Sequence, residues 1–115
     1  PVLFPTAGEP STQIVEAGIA LAREEGCDVV IALGGGGALD AGKAIAAMLG
    51  NPGSLFDYLE VIGRAAPLPR PGAPFIAIPT TAGSGSEVGR SATITLAGTK
   101  KRVALFLPRL LGYKG

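Results

Sequence analysis

The chain has 115 residues, room for one ordinary domain, and ten basic against nine acidic side chains leave a net charge of +1. That balance argues against nucleic acid or an anionic membrane as its main partner. It contains no histidine, which excludes Ser-His-Asp and Cys-His catalysis, histidine general bases and every histidine-ligated metal site.

From the N-terminus, Val2 to Phe4 is a short apolar stub closed by Pro5, readable as a strand end. The PVLFP start carries neither a basic region nor a long apolar stretch, so a signal peptide is not expected. Ser11 or Thr12 caps a predicted helix whose Ile14, Gly18, Leu21 and Ala22 share one side, and Gly26 ends it. Cys27 reads as a small buried hydrophobe before a strand. As the one cysteine it cannot form an internal disulfide, which fits a reducing compartment, and the cytoplasm is the expected location.

Asp28 leads into Val29–Leu33, a continuous apolar run that predicts a parallel strand covered on both faces. Gly34 to Gly37 follow, then an alanine-rich helix over 38–49. Gly50-Asn51-Pro52-Gly53 breaks that helix, and residues 54–61 suggest a short one. Residues 63–74 hold four prolines and read as a rigid exposed connector. Phe75–Ile78 is a second short buried strand, followed by a Thr/Gly/Ser loop over 79–87. Residues 92–96 and 102–107 flank Ala97-Gly98 as a hairpin. The order β-α-β-α-β and hairpin predicts an α/β layered fold with a mainly parallel sheet. The 18 glycines and 10 prolines are roughly twice the usual share, and with 47% hydrophobic residues the excess is assigned to functional turns. No apolar run approaches ~18 residues, so no membrane span is expected.

The sharpest feature is DVVIALGGGGALDAGKAIA, residues 28–46. A buried strand runs into four glycines and then a helix. Residues without Cβ let a phosphate approach the backbone, and a helix N-terminus offers unpaired N–H groups and partial positive charge. Gly37, Gly42 and Lys43 also spell G-x-x-x-x-G-K, but Ala44 stands where a P-loop needs Ser or Thr for magnesium. A helix beginning near Ala38 would moreover hold Gly42 and Lys43 in its interior. The pattern G-x-G-x-x-G fits Gly34 and Gly36 but meets Leu39 at its last place. The second loop, IPTTAGSGSEVG, offers Thr80, Thr81, Ser84 and Ser86, hydroxyls suited to ribose and phosphate or to bonding their own backbone. Two such loops after two strands of one sheet predict a shared ligand crevice. Neither serine sits in G-x-S-x-G, and a serine nucleophile would have to use Lys43 or a carboxylate as its base.

These segments resemble the iron-dependent (group III) alcohol dehydrogenases. DVVIALGGGGALDAGKAIA is similar to their GGGSxxDxxK segment and IPTTAGSGSEVG to their IPTTAGTGSEVT. NPGSLFDYL, KKRVALFLPRLL and the GEPST turn are similar too, so the resemblance runs to Leu111 and leaves 112–115 as a divergent tail. It implies a partial Rossmann-like dinucleotide-binding domain over 1–111, with a mainly parallel sheet, flanking helices and the C-terminal hairpin.

The resemblance also implies a cofactor, NAD or NADP, with Gly35, Gly36 and Gly37 at the pyrophosphate. Asp40 and Lys43 match the Asp and Lys of the first motif. Thr80, Thr81 and Ser84 match hydroxyl positions near the pyrophosphate and nicotinamide ribose, and Arg102 stands where relatives carry a cofactor-facing lysine. Glu9 lies in a turn that relatives use near the cofactor. Gly37 replaces the motif serine, Gly89 a threonine, and Leu96 an aspartate. The family's N-terminal strand, with its acidic ribose ligand, has no counterpart here. Nor has the C-terminal helical domain that supplies an aspartate and three histidines to iron or zinc. The implied activity is hydride transfer between an alcohol or aldehyde and the nicotinamide. For this chain the expectation is weak dinucleotide or phosphate binding without turnover. Its unpartnered strands predict a homo-oligomer. A non-catalytic structural protein and a small serine hydrolase acting through Ser84 or Ser86 are the alternatives.

Overall fold

The computed structural model describes residues 2–6, 10–58 and 72–80 with their side chains, and residues 91–95 and 102–106 as backbone. Helix α1 spans Thr12–Glu24. Ser11 is its N-cap, the hydroxyl accepting the Ile14 N–H at 3.1 Å. The helix closes as the Gly26 N–H donates to the Arg23 carbonyl and the Cys27 N–H to that of Ala22. Its buried face is Thr12, Val15, Gly18, Ile19 and Ala22, rotated from the sequence expectation so that Ile14 and Leu21 are only half-buried. Val15 and Ile19 take their place because the stripe that meets α2 is set by tertiary contact, not by apolar spacing alone.

Strand β1 is Val30–Gly34, helix α2 is Gly36–Leu49, and strand β2 is Phe75–Pro79. β1 and β2 pair in parallel, Val30 opposite Phe75 and Gly34 opposite Pro79. Strands β3, Ser91–Thr95, and β4, Arg102–Phe106, form the expected antiparallel hairpin. Among the described residues these are two separate two-stranded sheets. In place of a short helix over 54–61, the structure has one turn of 3-10 helix at Leu55–Asp57, closed by a reciprocal Ser54–Asp57 capping box, and residues 59–61 lie outside the described residues. Val2–Phe4 has no regular secondary structure. The connector at 63–71 and the loop at 81–87 also lie outside the described residues.

The core has two parts. One lies between α1 and α2, around Val15, Ile19, Ala44 and Met48, with Leu55 and Tyr58 closing it. The other lies between α2 and the parallel strands, around Ala32, Leu39, Ala46, Phe75 and Ala77. Helix and sheet approach closely at Gly42, where an added Cβ would meet the Ala32 Cβ at 2.7 Å and the Phe75 ring at 2.8 Å. Gly42→Ala is therefore expected to destabilise despite alanine's better helix propensity, by about 1–3 kcal/mol of overpacking. A lower urea midpoint at unchanged slope checks it.

Arg23 is a strut that local sequence pattern does not reveal. Its guanidinium donates to the carbonyls of Met48 at 2.9 Å, Asn51 at 3.0 Å and Gly53 at 3.3 Å, joining the end of α1 to the exit of α2. Cationic donors on otherwise open C-terminal carbonyls are favourable. Arg23→Ala is expected to cost about 1.5–3 kcal/mol, read by thermal unfolding.

Candidate cofactor-binding site

The site is assembled where the two parallel strands end at the same level. The Thr80 N–H donates to the Gly34 carbonyl at 2.9 Å, so the first residue after β2 is fixed to the last residue of β1. Gly34 has φ +149°, and a Cβ there would sit 2.8 Å from the Ala38 Cβ. Only glycine fits this bend without strain.

Gly35 is the N-cap of α2. The helix starts at Gly36 rather than at the predicted Ala38, so two of the four glycines belong to its first turn and the turn proper is Gly34–Gly35. No side chain caps this helix and its first turn has no acidic residue. Leu39 is the first amide bonded back, to the Gly35 carbonyl at 3.0 Å. The N–H groups of Gly36, Gly37 and Ala38 are the ones that a helix start leaves without an intrahelical acceptor. The Gly35 backbone, φ −85° and ψ −167°, suits Ser or Asp as well as Gly. Its lack of a side chain thus meets no conformational need, and it leaves the helix without a side-chain cap.

Gly34, Gly35 and Gly37 border an open hollow of about 760 Å³ that also takes in Phe4, Ile31 and Leu33. Asp40 and Lys43 sit one turn further into α2. Lys43 is only 1% exposed, its ammonium 3.7 Å from the Asp40 carboxylate. Gly42 and Lys43 therefore belong to the helix interior, which removes the P-loop reading. Thr80 is exposed at the mouth beside Gly34. Arg102 opens β4 opposite Thr95, and its side chain is outside the described residues, as are Glu9, Thr81, Ser84, Ser86, Gly89 and Leu96. Cys27 is half-buried at the rim of the hollow rather than fully buried.

A family model for iron-containing alcohol dehydrogenases matches residues 2–112. The chain belongs to the iron-containing alcohol dehydrogenase family. Among curated relatives, the 4-hydroxybutyrate dehydrogenase of Cupriavidus necator is 41% identical over 96 residues, 84% of this chain and 25% of that protein. The probable alcohol dehydrogenase EutG of Escherichia coli K12 is 50% identical over 80 residues, 70% of this chain and 19% of that protein. The chain thus spans about a quarter or less of the length of these relatives. Among solved structures, the sulfoacetaldehyde reductase of Bifidobacterium kashiwanohense in complex with NAD+ superposes with a TM-score of 0.78 at 30% identity. The match covers 93% of this chain and 28% of that one. An iron-containing alcohol dehydrogenase of this kind has a Rossmann-like α/β domain, and the fold described above is that class.

There is no histidine in the sequence, and among the described residues no group of three His, Cys, Asp or Glu is placed to hold an ion. Among the described residues no helix is long and apolar enough to cross a membrane.

Proposed function

We propose that this chain binds the diphosphate of NAD or NADP at Gly35, Gly36 and Gly37. The observation that carries the reading is the N-terminus of α2, where no side chain caps the helix and the first amides have no intrahelical acceptor, at the ends of two parallel strands. Three amides and the helix's partial positive charge stabilise an anion there without a counter-cation. Thr80, with Thr81 and Ser84 after it, hydrogen-bonds the sugar-phosphate edge. Asp40 and Lys43 act from below, as a positioning pair that fixes the second turn of α2. Arg102 is included among the cofactor residues because it stands where relatives carry a cofactor-facing lysine. A bound nicotinamide supplies the hydride-accepting ring of an alcohol or aldehyde oxidoreductase. By itself this chain supplies no metal to polarise a substrate oxygen, and it does not turn over.

The dinucleotide-binding unit runs over residues 1–111, with 112–115 appended. The chain resides in the cytoplasm, contacts neither nucleic acid nor membrane, and works as a homo-oligomer. Isothermal titration with NAD, NADP and ADP tests the binding. Saturable binding by all three at roughly millimolar ligand is expected, because the shared diphosphate carries most of the recognition. Absence of heat and saturation over that range overturns it. Alcohol-dependent reduction of NAD by the chain with added Fe²⁺ or Zn²⁺ overturns the claim of no turnover.

A further inference from the structure

We draw no further inference here: the strongest candidate, the open apolar hollow beside the outer face of β1, where Ile31 and Leu33 stand exposed against the expectation of a strand covered on both faces, carries nothing because no feature of the structure shows what covers it.

Discussion

Replacing Gly35 by Asp is expected to stabilise the free chain and to weaken its binding of NAD by at least about tenfold. The N-cap backbone already has the extended conformation that aspartate favours. A carboxylate there accepts from the Gly37 or Ala38 amide and complements the helix dipole, together worth roughly 0.5–1 kcal/mol over glycine. The same carboxylate occupies the amides intended for the diphosphate and repels its charge. One substitution thus moves stability and affinity in opposite directions, which a general loss of structure cannot do. Thermal unfolding and titration calorimetry on the same preparation read both. A Gly35→Asp variant that melts higher and binds NAD undiminished removes the helix start as the site. Gly34→Ala is the contrasting change. It meets a positive φ and the Ala38 Cβ at 2.8 Å, so it loses about 1–3 kcal/mol of stability before any ligand is added.

The largest loss of stability is expected for Phe75→Ala. Phe75 is fully buried, and its ring packs with Ala32, Leu39 and Ala46 where α2 crosses the sheet. Truncation leaves a cavity bounded largely by alanines, which have no side-chain length with which to fill it. About 3–5 kcal/mol is expected, a large part of the total for a domain of this size. Chemical denaturation followed by circular dichroism measures it, and a cost below about 1 kcal/mol would mean that the α2–sheet core is not packed as described.

Much of this is legible from the chain itself. Ser11 ahead of a periodic apolar stretch marks the start of α1, and VVIAL running into glycines marks β1 and the turn. The onset of α2 reads two residues late, because a row of glycines looks like a loop. Glycine's entropic cost does not forbid helix, and the helix phase is set by Leu39, Gly42 and Ala46 meeting the sheet. Uncovered apolar faces on the strands are expected from the sequence, but which side of β1 lies open is not legible, for a different reason. A continuous apolar run has no period from which to tell a covered side from an open one. Arg23 escapes notice because its acceptors lie 25 to 30 residues away, beyond any local pattern. The burial of Lys43 is equally a property of packing, since nothing in GALDAGKAIA distinguishes an enclosed ammonium from a solvated one.

The bond from the Thr80 amide to the Gly34 carbonyl makes the ends of the two parallel strands a single latch. Whatever draws the glycine bend toward itself also tows the start of the hydroxyl-bearing segment. Deuterium uptake at the Thr80 amide is therefore a one-atom gauge of how firmly the two strand ends are joined.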